Sequence, residues 1–131
     1  MTMKEMEFDE LAEFKKDLKK LSKRYKSLKD DLEIIRKVLK VNPNARPPFS
    51  FKIDGLGITD CVIKVKRIAC KSLKGKGVNT GLRLIYAHIK KRMDEVEGVE
   101  TEIEEKIIFV ELYHKNDKAN EDKVRILKYF E

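Results

Sequence analysis

The sequence predicts an α+β fold: an N-terminal antiparallel helix hairpin on one face of a twisted, mostly antiparallel four-stranded sheet, and a short C-terminal helix. Two observations support this prediction. Between residues 8 and 39, apolar side chains recur at steps of three and four, which is the spacing of one helix face. Beyond residue 60 they occur in alternating or nearly continuous runs, which are typical of half-buried and fully buried strands.

The two N-terminal helices are predicted from their apolar faces. The first begins at Phe8 and presents Phe8, Leu11, Phe14, Leu18, Leu21 and Tyr25. The second follows a break near residues 26–27, with Ser27 as its N-cap, and presents Leu28, Leu32, Ile35 and Leu39. Prolines in the segment 41–48 end it. Residues 3–8 fit either a brief edge strand or the start of a helix.

Strands are predicted at residues 62–69 and 82–89, joined by the glycine- and lysine-rich loop KSLKGKGVNTG. Residues 49–60 include at most a weak strand, because Gly55 and Gly57 favour a turn or bulge. The segment 82–113 is expected to form an antiparallel hairpin with an acidic tip near residues 94–98, in which residues 107–112 form a central strand. A final helix follows, with Asn120 as its cap and Val124, Ile126, Leu127 and Phe130 on its apolar face.

Length and charge limit the function. The chain has 131 residues, which predicts a single domain spanning residues 1–131. It carries 30 Lys+Arg against 23 Asp+Glu, a net charge of +7, which favours acidic partners and nucleic acid first. Cys61 and Cys70 are nine positions apart on one predicted strand, so they should face opposite sides and stay unpaired. Free thiols and the absence of a long apolar run predict a cytoplasmic chain without a membrane partner.

Cationic side chains are the chemistry that stands out. The sequence has no phosphate-binding glycine motif and no His/Cys cluster with metal-ligand spacing, so no metal or cofactor is expected. In contrast, residues 61–86 place Lys64, Lys66 and Arg67 on a predicted strand, and Lys74 and Lys76 in the following loop. This arrangement suits a nucleic-acid backbone. The alternative is a row of solvated charges at a sheet edge.

Four segments, in order, resemble the RelE/ParE superfamily of bacterial toxins from toxin–antitoxin modules. They are FKKDLKKLSKRYKSLKDDLEIIRKVLKVNP (residues 14–43), KVKRIACKS (64–72), KGKGVNTGLRLIY (74–86) and LYHKNDKANED (112–122). The resemblance implies a helix hairpin packed on a twisted sheet, with the site on the opposite face. It also implies a ribosome-dependent mRNA endoribonuclease that blocks translation, in which the substrate's 2′-hydroxyl attacks the adjacent phosphorus to give a 2′,3′-cyclic phosphate. The implied partners are a cognate antitoxin, the ribosome and mRNA.

The resemblance also assigns roles to residues. Arg83 matches the family's most regular arginine and is expected to stabilise the phosphoryl group. Arg67 matches the basic-strand arginine, with Lys66 or Lys64 as alternatives, because one residue of slippage exchanges the two faces of a strand. Lys115 is expected to be a proton donor or a further phosphate ligand. Tyr86 and Tyr113 match aromatic positions that stack on bases, although core packing explains both equally well.

The sequence departs from the family at the loop before the arginine. Thr80 stands where a glycine is common and Asn79 where a serine is common, so a stiffer loop and a differently aimed Arg83 are expected. Two other functions stay open: a ParE-like protein that inhibits DNA gyrase and cuts nothing, and an orphan nucleic-acid-binding domain.

Overall fold

The computed structural model describes residues 6–92 and 103–130 and has an α+β fold, as predicted at that level. Its elements, in chain order, are β1 (Glu7–Glu10), α1 (Ala12–Arg24), α2 (Leu28–Val41), β2 (Ser50–Lys52), β3 (Cys61–Val65), β4 (Leu82–Arg92), β5 (Ile103–His114) and α3 (Lys123–Phe130). The predicted acidic tip near residues 94–98 lies outside the described residues.

The described strands form one five-stranded mixed sheet in the order β1-β5-β4-β3-β2, rather than the four mostly antiparallel strands expected. The strand β1 overlaps the end of residues 3–8, for which a brief edge strand was one of the two alternatives, and it pairs with β5 in parallel, whereas the other pairs are antiparallel. The prediction that the first helix begins at Phe8 was therefore wrong. The Phe8 ring instead meets the Phe109 ring edge-on at 6.2 Å, and α1 begins at Ala12.

The two N-terminal helices cover one face of the sheet, which we call the helix-covered face. Their buried residues pack on alternate residues of β3, β4 and β5. This first core contains, among others, Phe14, Leu21, Leu28, Leu32, Ile35, Leu39, Ile63, Val65, Leu84, Tyr86 and Phe109. Ser27 precedes α2 as predicted, but its hydroxyl donates to Asp31 at 2.7 Å and does not cap the helix backbone.

A second core lies on the opposite face. Val62, Ile85, Ala87, Val110 and Tyr113 come from the strands, and Ile126 comes from α3. The predicted cap of α3 was wrong by two positions. The helix begins at Lys123, and Oδ1 of Asp122, not Asn120, accepts the Arg125 backbone N–H at 3.0 Å. Val124, expected on its apolar face, is 78% exposed.

The outer edge of β5 is protected by side chains where β1 does not reach it. β1 pairs only with residues 106–109 of β5, and a register shift follows, with Ile85 opposite Glu111 and Tyr86 opposite Phe109. Beyond the shift, Asp17 accepts the Leu112 backbone N–H at 3.1 Å and Arg125 donates to the Val110 carbonyl at 2.9 Å. Arg125 also pairs with Asp17 at 2.7 Å, so the same contacts fasten α3 to α1.

The strand predicted at residues 62–69 is shorter in the structure. β3 ends at Val65, and Ile68 and Cys70 belong to the first core without lying in the sheet. The two cysteines are both free, although they do not share one strand. Among the described helices, none is long and apolar enough to cross a membrane.

Candidate nucleic-acid interface

Arg83 lies at the start of β4, on the face opposite α1 and α2. It pairs in register with Tyr113 of β5. Its Nη1 atom donates to the Lys66 carbonyl at 3.0 Å and to the Leu82 carbonyl at 3.2 Å. The side chain is half-buried, so these two bonds fix the guanidinium over the end of β3 while part of it stays in contact with solvent.

The backbone that carries Arg83 is held by a compact set of contacts. The Thr80 hydroxyl donates to the Ile68 carbonyl at 2.6 Å, which ties the lysine-rich loop to the segment after β3. The Gly81 carbonyl accepts the Lys115 backbone N–H at 2.8 Å. Nε2 of His114 lies 2.9 Å from the Thr80 carbonyl, and Nδ1 of the same ring accepts the Asn116 N–H at 3.1 Å. His114 is therefore the Nε2–H tautomer, with both nitrogens engaged.

These contacts bring the three predicted catalytic cations to one end of the sheet. Arg67 directly follows Lys66, whose carbonyl binds Arg83. Lys115 directly follows β5, and a Cβ placed on Gly81 would lie 3.2 Å from its Cγ atom. Arg67 and Lys115 are both exposed. Within the described residues, no carboxylate forms an ion pair with either side chain or with Arg83.

The predicted RNA-binding lysines divide into two groups. Lys66, Lys74 and Lys76 are exposed and extend the positive charge from the end of β3 along the loop. The Lys66 ammonium also lies 5.0 Å from the centre of the Phe51 ring. Lys64 differs, because its ammonium lies 2.6 Å from Glu121 and its side chain is only 14% exposed. Its charge is therefore already compensated within the chain.

Neither predicted stacking tyrosine is placed to stack on a base. Tyr86 lies on the helix-covered face with no exposed surface, and its hydroxyl donates to the Pro43 carbonyl at 2.7 Å. Tyr113 is on the same face as Arg83 but is 5% exposed, with the Lys118 ammonium 5.2 Å above its ring. Both belong to the buried cores, which was the alternative interpretation of their positions.

Burial also sets the protonation of both phenols. Burial raises the pKa of Tyr113 to about 12, and the nearby carboxylates of Glu121 and Glu111 act in the same direction. Burial likewise raises the pKa of Tyr86. Both stay protonated at neutral pH, so neither phenol can serve there as a general base.

Sequence reasoning missed three residues that shape this site: Thr80, His114 and Glu121. Thr80 was noted only as a departure from a family pattern, yet its hydroxyl bond agrees with the expected stiffer loop. His114 has no sequence signal beyond its position at a strand end. Glu121 pairs with Lys64 from a position far along the chain. No group of three or more His, Cys, Asp or Glu that could hold a metal occurs in the part of the chain that the structure describes.

Comparison of the chain with protein-family models, with curated proteins and with solved structures finds no match.

Proposed function

We propose that the chain is the toxin of a toxin–antitoxin module and acts as a ribosome-dependent mRNA endoribonuclease. One observation carries the proposal. Two backbone carbonyls fix the guanidinium of Arg83, and the exposed cations Arg67 and Lys115 flank it. Neither flanking cation has an ion-pair partner among the described residues. Such a group suits a phosphodiester, because the fixed arginine offers parallel donors to phosphate oxygens and the flanking cations attract the backbone.

In the proposed reaction, a ribose 2′-hydroxyl loses its proton to water and attacks the adjacent phosphorus, and the 5′-oxygen of the next nucleotide takes up a proton as it leaves. Negative charge grows on the non-bridging oxygens, where Arg83 stabilises the transition state more than the bound RNA. Arg67 neutralises the same phosphate or its neighbour. Lys115 either protonates the leaving oxygen or binds a further phosphate. Lys66, Lys74 and Lys76 hold the RNA backbone along the loop, without reading its sequence.

This function requires the ribosome and mRNA as partners, a cytoplasmic location, and a cognate antitoxin that restrains the activity. An acidic antitoxin segment that folds on binding would complement the net charge of +7. The corresponding test is co-purification from the native operon with no tag on the partner. Isolation of the chain alone, together with normal growth when it is expressed alone, contradicts the module.

One observation favours the second candidate, a ParE-like gyrase inhibitor that does not cut nucleic acid. Neither the histidine nor the tyrosine beside Arg83 is placed to take the proton of a 2′-hydroxyl. Both nitrogens of His114 are engaged, and the phenol of Tyr113 is buried. A site that binds phosphate but lacks a base suits binding better than cleavage.

The deciding experiment incubates the purified chain with ribosomes programmed with a defined mRNA. We expect cleavage in the decoding site that yields a 2′,3′-cyclic phosphate and a 5′-hydroxyl, and no cleavage of the same mRNA without ribosomes. A parallel assay measures supercoiling by DNA gyrase. Intact mRNA combined with inhibited gyrase would replace the nuclease by the second candidate, and inactivity in both assays would contradict both.

A further inference from the structure

A cysteine, a histidine and a glutamate stand side by side on three adjacent strands of the helix-covered face. Cys61 of β3 is the register partner of His88 of β4. Nε2 of His88 lies 2.9 Å from Oε2 of Glu105 on β5. The His88 side chain is 3% exposed and that of Glu105 17%, so their contact is largely shielded from water. The order is that of a nucleophile, a base and the group that orients the base.

Cys61 and His88 border a cavity of about 270 Å³. Its other lining residues are Asn44, Thr59, Asp60 and Lys90. This cavity is separate from the candidate nucleic-acid interface. His88 lies five residues beyond Arg83 along β4, roughly 17 Å at the rise of an extended strand, and on the other face of the sheet. An inference about this cavity therefore does not depend on the proposed function.

The geometry leaves one nitrogen of His88 for the thiol. Glu105 engages Nε2 and thereby fixes the ring, so Nδ1 is the atom that can accept a proton. Directly opposed residues of antiparallel strands have Cβ atoms about 4.5–5.5 Å apart. No hydrogen bond joins Cys61 to His88 in the described structure, so transfer of the thiol proton requires a movement of one of the two side chains. Among the described residues, the charged or titratable groups that border Cys61 and His88, besides Glu105, are Tyr86, Asp60 and Lys90.

We propose that Cys61 is a reactive thiol that forms mixed disulfides with small amino-acid-like disulfides. His88 takes the thiol proton, and the Cys61 sulfur attacks one sulfur of the disulfide R–S–S–R. A bond forms between Cys61 and that sulfur while the original S–S bond breaks. The second sulfur leaves as a thiolate and receives the proton from His88. The Cys61 sulfur is oxidised and the leaving sulfur is reduced, so the incoming disulfide is the oxidant.

The lining of the cavity defines this ligand class. Lys90 offers an ammonium to a carboxylate and Asp60 offers a carboxylate to an ammonium, which together match the two charges of an amino acid. A volume of about 270 Å³ suits a group of that size. Cys61 is partly exposed, as reactive thiols are.

Cys70 is the internal control. It is 4% exposed, and its Sγ atom lies 3.5 Å from the Ser27 hydroxyl. Burial raises the pKa of the Cys70 thiol. A buried thiol with a raised pKa is inert, so Cys70 should not be modified in the folded chain.

The test treats the wild-type chain with L-cystine and maps the modified cysteine by proteolysis and mass spectrometry. The chain unfolded in guanidinium gives the reference rate for each thiol. We expect folded Cys61 to react about fivefold faster than unfolded Cys61, and Cys70 to react more than tenfold slower when folded. A folded Cys61 that reacts no faster than its unfolded reference overturns the proposal.

Two further comparisons separate activation from simple exposure. Cystamine is the same disulfide without carboxylates, so folded Cys61 should prefer cystine and Lys90→Ala should remove that preference. His88→Gln should return the rate of Cys61 to the unfolded reference while circular dichroism shows an intact fold. An unchanged rate in this variant overturns the role of His88. If the variant does not fold, Glu105→Gln provides the same comparison, because it frees the ring that Glu105 orients.

Discussion

The imidazole of His114 packs directly against the backbone of Gly81. A Cβ atom added to Gly81 would lie 2.8 Å from Nε2 of His114, and the φ angle of Gly81 is +83°. The same imidazole binds the Thr80 carbonyl, so the contact fixes the backbone three residues before Arg83. The position of the Arg83 guanidinium therefore depends on a glycine and a buried histidine that form no hydrogen bond with it.

We expect Gly81→Ala to destabilise the chain more than Gly75→Ala. Both residues have positive φ angles, but a Cβ at Gly75 meets nothing within 4 Å. The Gly75 variant therefore reports backbone strain alone, about 1 kcal/mol. The Gly81 variant adds a clash with His114 and should lose about 2–3 kcal/mol in total. Urea unfolding of the two variants measures the difference, and equal losses would show that the imidazole moves aside at no cost.

Arg83→Ala should abolish mRNA cleavage while the chain stays folded. Loss of a preorganised donor to a developing oxyanion typically costs on the order of 100- to 1000-fold in rate. Arg83→Lys should recover little, because an ammonium cannot offer the two parallel donors of a guanidinium. Single-turnover cleavage on programmed ribosomes measures both variants.

Arg24→Ala is the matched control for Arg83, since it removes an exposed arginine that pairs with Asp117 at 3.2 Å on the surface. It should cleave at the wild-type rate. Equal rates for wild type and Arg83→Ala would remove Arg83 from the mechanism. Antitoxin binding by Arg83→Ala, measured beside cleavage, distinguishes a lost reaction from a lost fold.

The sequence predicted the elements whose signal is local. The apolar periodicity around Leu32 and Ile35 identifies α2 without any knowledge of its partners. The nearly continuous apolar run 107–112 marks a strand buried on both faces, and it lies inside β5 between β1 and β4. Phe8 was misassigned because its spacing to Leu11 and Phe14 continues the helical period, whereas its true partner is Ile107, about 100 residues away.

The candidate site was predicted less completely, because it depends on register and on long-range pairing. The resemblance to a known family identified Arg83, Arg67 and Lys115 as candidate site residues, and the structure brings these three side chains to one end of the sheet. Lys64 and Tyr113 were expected to bind RNA. In the structure, Glu121 forms an ion pair with the Lys64 ammonium, and the Lys118 ammonium lies over the Tyr113 ring. Both partners come from the segment between β5 and α3. The sequence of this segment has no hydrophobic periodicity from which its position against the sheet could be predicted.

Leu32→Ala should lower the free energy of unfolding by about 2–5 kcal/mol, because the side chain has no exposed surface and its removal leaves a cavity between α2 and the sheet. Ile34→Ala is the matched control on the same helix. Its side chain is 49% exposed, so a change of about 1 kcal/mol or less is expected. Chemical unfolding measures both variants. Similar losses would mean that the apolar face of α2 is not the one buried against the sheet.

The ion pair between Lys64 and Glu121 should make stability depend on acid pH. Burial is the largest single influence and opposes the charge of Glu121, but the contact with Lys64, a backbone hydrogen bond and the charges of Lys64 and Lys123 together outweigh it. The pKa of Glu121 is therefore lowered below its ordinary value of 4.5. A carboxyl with a lowered folded-state pKa stabilises the fold fully above 4.5, and this contribution is lost as the pH falls through the folded-state value. Glu121→Gln should therefore be less stable than wild type at pH 6, and the difference should shrink as the pH falls below 4.5.

A double-mutant cycle with Lys64→Met isolates the pair, since each single variant leaves the other partner buried and uncompensated. The double variant should lose less stability at pH 6 than the sum of the two single variants, and the coupling should be smaller at pH 3 than at pH 6. Unfolding in urea at both pH values gives the four free energies. Strict additivity at pH 6 would show that the two side chains do not interact in solution. Lys64 would then be free to bind RNA, as the sequence alone had predicted.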